Sequence, residues 1–426
     1  MFELFGISNE IESIANESEE ELKEVFKKID EQCMKSSMKV LKAFQDNGVS
    51  TTDFNEVTGY GYYDAGREKL EKIYAQIFGA EDALVRPQIM SGTHALYLVL
   101  SAILKYGDTL LSISGEPYDT IMSVIEGDSS TSLKNNGVKF EVIDLVENEF
   151  DTDKILNRVK AGNIKMIEIQ RSKGYASRKS INIDKIEEII KKIREVDKDI
   201  IIFVDNCYGE FVEDKEPTEV GADLFASSLM KNLGAGIATS GGYIVGRKDL
   251  IEIVADRLAF PTAGKSLGAN FNTLLTYYKG LFMAPKVVAS ALKSMCFASR
   301  VLEKYGYKVS PSFNEKRADI IQTIELGDEN SLIEFCKCIQ KGAPIESYVE
   351  PVPSQMPGYP YDEIMAGGSF TPGATIEFSC DGPLCEPYTA FMQGGLTYEY
   401  GKLEILIAVQ GLMNNKWQCK VIYKKL

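Results

Sequence analysis

Short apolar runs recur through the middle of the chain at Thr109–Ile113, Phe140–Ile143, Met166–Ile169, Ile200–Val204, Leu224–Ala226 and Gly242–Gly246. Helical patterns separate them, the cleanest placing Ile186, Ile189, Ile190 and Ile193 on one face. This alternation predicts a mostly parallel sheet with helices on both faces. Ligands of such sheets bind beyond the carboxyl ends of the strands. By position, Asp205, Gln170, Arg171 and the stretch from Ser114 to Tyr118 fall there.

The flanks have other patterns. Residues 1–57 repeat apolar positions every three to four residues with acidic faces between, which predicts a helical arm. Thr58 to Arg67 is rich in glycine and tyrosine and too irregular for a regular element. Leu70, Ile73, Tyr74, Ile77 and Phe78 then mark one helix face, and Ala83–Arg86 a short strand. Ser91, Gly92 and Thr93 precede a strongly apolar helix, Ala95–Leu104. Small residues at a helix start expose backbone N–H groups at the positive end of the dipole, a ready phosphate site. A plain N-cap would use the same residues. Val287 to Tyr305 suits a long helix, and shorter strands such as Ile320–Glu325 follow. The division expected is an arm over 1–57, a large domain over 58–299 and a smaller α+β domain over 300–426.

Composition narrows the classes. With 44% hydrophobic and 26% charged residues, the 426-residue chain is of the ordinary globular type. A net charge of −15 argues against nucleic acid or an anionic membrane as partner. No run of about 18 uncharged apolar residues predicts a membrane span. The start lacks a basic region followed by an apolar one, so the cytoplasm is the expected compartment. Eight dispersed cysteines fit free thiols there, and with His94 as the only histidine no metal site is expected.

The chemistry centres on Lys231, set between Ser227, Ser228 and a glycine-rich run from Gly234 to Gly242. Asp205 ends an apolar strand 26 residues upstream. A lysine and a strand-end acid so placed are what pyridoxal phosphate (PLP) requires: the lysine holds the aldehyde as a Schiff base, and the acid keeps the pyridine nitrogen protonated. Competing motifs are weaker. Glu187 and Glu188 suit a solvated helix face better than a glycosidase pair. Gly234 to Ala238 lacks the strand directly before it that a dinucleotide fingerprint needs.

With these residues in view, the chain resembles fold-type-I PLP enzymes of the Cys/Met-metabolism group, the cystathionine lyases and methionine γ-lyase. Within that group it is most similar to the branch called cystathionine β-lyase-like or aluminium-resistance proteins. Val204-Asp205-Asn206, Leu70-Glu71 with Phe78-Gly79-Ala80-Glu81, and Ser91-Gly92-Thr93 carry the likeness, over roughly residues 58–250. The resemblance implies a seven-stranded, mostly parallel sheet plus a smaller C-terminal α+β domain. It also implies a PLP-dependent carbon–sulfur lyase that acts on a sulfur amino acid by β- or γ-elimination. Lys231 would hold the cofactor and move the substrate's Cα proton, and Asp205 would pair with the pyridine nitrogen. Ser91, Gly92, Thr93 and Ser228 would bind the phosphate. Tyr118 would stack on the ring and Tyr208 would bond its oxygen. Tyr60 would reach into a partner's site, so that a homodimer or homotetramer is implied.

The departures concern the substrate. Met230 stands where the group has threonine, and Tyr62 where it has the arginine of Tyr-Ser-Arg. The segment Gln170 to Arg178 replaces Glu-Ser-Pro-x-Asn-Pro, and the C-terminal arginine that clamps a substrate carboxylate has no match. Arg171 or Arg178 would supply that contact. An aminotransferase or aldolase on the same fold, or a non-catalytic PLP-binding stress protein, are the alternatives.

Overall fold

The computed structural model describes residues 2–60, 64–356 and 359–423, with side chains through residue 414. Two compact units make up the chain: one comprises Met34–Pro285, the other Met1–Cys33 with Lys286–Leu426.

The central unit is built on seven strands: β1 (Asp82–Arg86), β2 (Thr109–Ser112), β3 (Lys139–Val142), β4 (Met166–Gln170), β5 (Ile201–Asp205), β6 (Leu224–Ser228) and β7 (Gly242–Gly246). Their order is β1-β7-β6-β5-β4-β2-β3. The pairs among β2 to β6 are parallel, and β7 runs antiparallel to both β6 and β1. The mostly parallel, helix-covered sheet expected from the apolar rhythm is therefore present. Every residue of β4, β5 and β6 is buried, as strands covered on both faces must be, which is why they read as mostly apolar runs.

The helices are α1 (Asn9–Asp46), α2 (Ala65–Ile77), α3 (Gly92–Ile103), α4 (Asp119–Glu126), α5 (Thr152–Lys160), α6 (Ile183–Val196), α7 (Lys248–Leu258), α8 (Leu274–Lys304), α9 (Glu329–Gly342) and α10 (Tyr398–Tyr423). The stripe on α6 is buried through Ile183, Ile186, Ile189, Ile190 and Ile193. That on α2 is buried through Leu70, Ile73, Tyr74 and Ile77, with Phe78 just beyond. A buried ion pair ties α2 to β1: Arg86 Nε donates to Glu71 Oε1 at 2.8 Å.

The other unit carries a six-stranded antiparallel sheet of β8 (Lys308–Ser310), β9 (Gln322–Glu325), β10 (Ser354–Gln355), β11 (Asp362–Ala366), β12 (Ser379–Pro383) and β13 (Thr389–Gln393). Leu332, Phe335 and Ile339 of α9 share its core with Ile405, Val409 and Leu412 of α10 and with Ile7, Ile11, Ala15 and Leu22. Helix α8 is long and apolar enough to cross a membrane, yet 78% of its apolar window is buried inside the protein, as in a core helix.

Candidate active site

Register brings the strand ends together. Gln170 at the end of β4 faces Asp205 at the end of β5, and Asp205 faces Ala226 on β6, two residues before Ser228. The side chains expected in a site therefore come from neighbouring carboxyl ends, where the sheet offers a crevice.

Lys231 follows β6 by one short turn, its backbone N–H reaching Ser228 O at 3.4 Å. Its Nζ lies 4.0 Å from the centroid of the Tyr208 ring, within cation–π reach. Tyr208 holds a left-handed backbone, φ 69°, in the tight turn after β5. Asp205 stays almost wholly buried, and its Oδ1 accepts from Cys207 N at 3.0 Å, which fixes the carboxylate at the head of that turn. Burial pulls the Lys231 ammonium down, but Cys207, Tyr208, Asp205 and Glu210 together more than reverse it and leave its pKa raised. Burial first, then Asp205, pushes the neighbouring Cys207 thiol up to about 12.

The start of α3 meets the same turn. A Cβ at Gly92 would lie 3.2 Å from Ser228 Cβ and 3.6 Å from Cys207 Sγ, so a larger residue would crowd the two turns. Ser91 is the N-cap of α3, its Oγ accepting from His94 N at 3.1 Å. Thr93 Oγ1 lies 3.1 Å from Thr120 Oγ1, joining the first turns of α3 and α4. Ser228 Oγ accepts from Met230 N at 3.0 Å. His94 Nδ1 accepts from Met90 N at 3.0 Å, an internal contact of its own turn.

Tyr118 precedes α4, and its backbone N donates to Gln170 Oε1 at 2.5 Å. Its ring sits 5.7 Å from that of Tyr175. Gly174 permits this approach: a Cβ there would come to 2.9 Å from the Tyr118 ring. The sequence pattern does not mark Tyr175, Glu168, Glu210 or the clasp made by Gln170. Strand alternation was the available signal for Glu168 and Gln170, because residues two apart share a face. Glu168 accepts from Ser112 Oγ at 2.9 Å, and burial, then Asp205, raises its pKa to about 8.

Arg171 requires a correction. Its guanidinium is fully buried and donates to Asn206 Oδ1 at 2.7 Å, Gly209 O at 3.0 Å and Glu213 Oε2 at 2.8 Å, with Glu216 at 3.6 Å. It is an internal strut and has no face to offer a substrate carboxylate. Arg178 is half-buried. Its Nη2 donates to Gln170 O and Ser172 O, both at 2.8 Å, and Nη1 to Lys179 O at 3.0 Å. Tyr60 is 77% exposed and bridged to Leu267, while Tyr62 lies outside the described residues.

The family model described as methionine gamma-lyase matches residues 11–413. The chain belongs to the methionine gamma-lyase family. Members of this Cys/Met-metabolism-like family are fold-type-I PLP enzymes, and both the sheet order and the C-terminal sheet here follow that architecture. A Bacillus subtilis relative, the uncharacterised protein YnbB, is 44% identical over 98% of this chain and 100% of its own length. Among solved structures, a Clostridium acetobutylicum protein provisionally named a cystathionine beta-lyase involved in aluminum resistance is 44% identical. It superposes with a TM-score of 0.94 over 96% of this chain and 97% of its own. A carbon-sulfur lyase involved in aluminum resistance from Clostridium novyi is 42% identical with a TM-score of 0.92, over the same shares. The PLP-dependent Escherichia coli protein YhfS, at 16% identity and a TM-score of 0.61 over 91% of this chain and 97% of its own, shares the fold alone.

Proposed function

We propose that the protein is a PLP-dependent carbon–sulfur lyase that acts on a sulfur-containing amino acid by β- or γ-elimination. The observation that carries this is the convergence of Lys231, Asp205, Gly92 and Ser228 at the turns that follow β5 and β6, with the lysine amine over the Tyr208 ring. These residues fit PLP: an amine for the aldehyde, an acid for the pyridine nitrogen and a Cβ-free helix start for the phosphate. PLP, when bound, supplies the electron sink that makes a Cα proton acidic.

The chain supplies the rest. Lys231 holds the cofactor and transfers the Cα proton. Asp205, pinned by Cys207 N, presents its carboxylate to the ring nitrogen. Backbone N–H groups at Gly92 and Thr93, at the positive end of α3, bind phosphate together with the Ser228 hydroxyl and the Ser91 cap. Tyr118, held through its backbone by Gln170, would stack on the cofactor ring, and Tyr208 would bond its oxygen. Arg178 receives the substrate carboxylate. Three backbone carbonyls hold its guanidinium at the carboxyl end of β4.

The active unit is a homodimer or larger. Tyr60, Met90, Phe260, Phe271, Leu275 and Phe282 are exposed apolar residues that a second copy would cover. The described cysteines are all free thiols, which supports the reducing cytoplasm.

The test is an absorption spectrum of purified protein with PLP, followed by sulfur amino acids added singly. A visible band that borohydride bleaches, with the label recovered on Lys231, is expected. Pyruvate or 2-oxobutyrate should then appear with L-cystathionine, cysteine or methionine. A spectral change with amino acids but no keto acid would replace the lyase with an aminotransferase or aldolase. A protein that takes up no PLP would end the proposal.

A further inference from the structure

A tight turn over residues 206–209 follows β5, closed by Gly209 N donating to Asn206 O at 3.0 Å. Its two middle residues are Cys207 and Tyr208, and Tyr208 takes the left-handed backbone at φ 69°. That position in a turn usually falls to glycine or asparagine, because a larger side chain is strained there. A tyrosine persists in it only where the surroundings over-determine the turn. The ring so placed has its centroid 4.0 Å from Lys231 Nζ.

One side chain holds both ends of this turn. Arg171 Nη1 donates to Asn206 Oδ1 at 2.7 Å, just before Cys207, and to Gly209 O at 3.0 Å, just after Tyr208. The Arg171 backbone N donates to Asp205 O at 3.1 Å. The guanidinium is itself fixed, being fully buried, with Nη2 donating to Glu213 Oε2 at 2.8 Å. Asn206 is also held from its other side, where Nδ2 donates to Glu216 Oε2 at 3.0 Å. A Cβ at Gly209 would lie 2.5 Å from Arg171 Nη1 and 2.6 Å from Asn206 Oδ1, so the bracket closes only around glycine at that corner. At the exit of the turn, Asn232 Nδ2 donates to Glu210 O at 3.0 Å and ties the residue after Lys231 to the same loop.

We propose that Arg171 is a positioning residue that brackets the turn over residues 206–209 and thereby sets the Tyr208 ring against the Lys231 amine. The fork geometry matters more than the charge, because one nitrogen spans two acceptors three residues apart while the other anchors on Glu213. An ammonium in the same place could neutralise Glu213 without bridging the turn. With the bracket released, Tyr208 can relax out of the left-handed region and take its ring off the amine. What the ring does for a bound cofactor rests on Lys231 being the cofactor lysine, but the bracket and the contact of ring with amine do not.

The test uses the full chain, freed of cofactor, and reads Lys231 acetylation by trace acetic anhydride near pH 8, followed by peptide mass spectrometry with surface lysines of the same sample as reference. A ring over the amine favours the charged form, which does not react. Tyr208→Ala should therefore raise Lys231 labelling about tenfold. Gly209→Ala, whose Cβ displaces the guanidinium, and Arg171→Lys should each raise it about threefold or more. Urea unfolding of the same variants separates positioning from packing. In a Tyr208→Ala background both substitutions should still lower stability, while neither should change the labelling further. Unchanged labelling in Gly209→Ala and Arg171→Lys with native near-ultraviolet dichroism overturns the proposal, and so does a rise of the same size with and without the Tyr208 ring. If Arg171→Lys does not fold, Gly209→Ala decides alone. A chain that passes this test yet takes up no PLP keeps the bracket and loses the lyase, whereas one that binds PLP and fails it loses only the bracket.

Discussion

Arg171 and Arg178 lie on one segment and have opposite environments. Arg171 neutralises Glu213 and Glu216 inside the protein, and burial raises the Glu216 pKa to about 7 even so. Arg171→Met therefore leaves buried acids unpaired and should cost about 3–5 kcal/mol in urea unfolding. Arg178→Ala should change stability by less than about 1 kcal/mol while KM for the amino acid rises several-fold. A raised KM in Arg178→Lys as well would show that the fork geometry, and not the charge alone, is used. Glu168 makes the pH prediction. Its pKa is raised by burial and Asp205 to about 8, so between the ordinary carboxyl range and pH 8 the folded chain binds more protons than the unfolded one. Stability from this group is full below pH 4.5 and is lost as pH rises toward 8. Glu168→Gln keeps the contact to Ser112 and should flatten that decline, gaining about 1–3 kcal/mol at pH 8. Lys231, Asp205 and Gly92 were legible because each stands beside a signal of its own: a glycine run, an apolar strand, a helix start. The acids that hold Arg171 were not, since Glu213 and Glu216 lie 42 and 45 residues further along and meet it only through the fold.

At the scale of elements, spacing located the strands to within about two residues because β4, β5 and β6 are buried on both faces. Helices were less sharply bounded. The arm expected over residues 1–57 is mostly one continuous helix, α1, since no proline or glycine interrupts Asn9–Asp46. Helix α8 starts at Leu274 rather than Val287 and carries Pro285 inside it, a residue that removes one backbone donor and so imitates a boundary. The short turn after β6 is the element on which the site depends. Asn232–Gly234 forms a single 3-10 turn, Ala235 is left-handed at φ 53°, and a Cβ at Gly234 would overlap the Leu229 carbonyl. Gly234→Ala must therefore displace backbone on both sides of Lys231. The expected outcome is a loss of about 2–4 kcal/mol in thermal unfolding together with loss of PLP uptake. Gly92→Ala brings its Cβ to 3.2 Å from Ser228 Cβ and should weaken PLP binding with a much smaller change in stability. Equal effects from both substitutions would mean that the α3 start is merely packing.

For the whole molecule, the sequence pattern placed a sheet-centred body before a smaller α+β one. It did not show that Met1–Cys33 belongs with Lys286–Leu426, because a surface-charged helix carries no mark of which core it joins. The same scale decides the assembly. A net charge of −15 keeps copies apart unless apolar surface brings them together. Phe271 and Phe282 in the central unit are 63% and 52% exposed, and Tyr60 stands further out still. If a second copy covers these residues, light scattering should give at least twice the 47.3 kDa of one chain. Phe271→Asp with Phe282→Asp should then shift the protein toward monomer, since burying two unpaired charges at an interface costs several kcal/mol. The midpoint of thermal unfolding should rise with protein concentration in the parent and lose that dependence in the double variant. A parent that scatters as one chain at micromolar concentration would leave Tyr60 with no partner site to enter, and the crevice around Lys231 would have to work within a single chain.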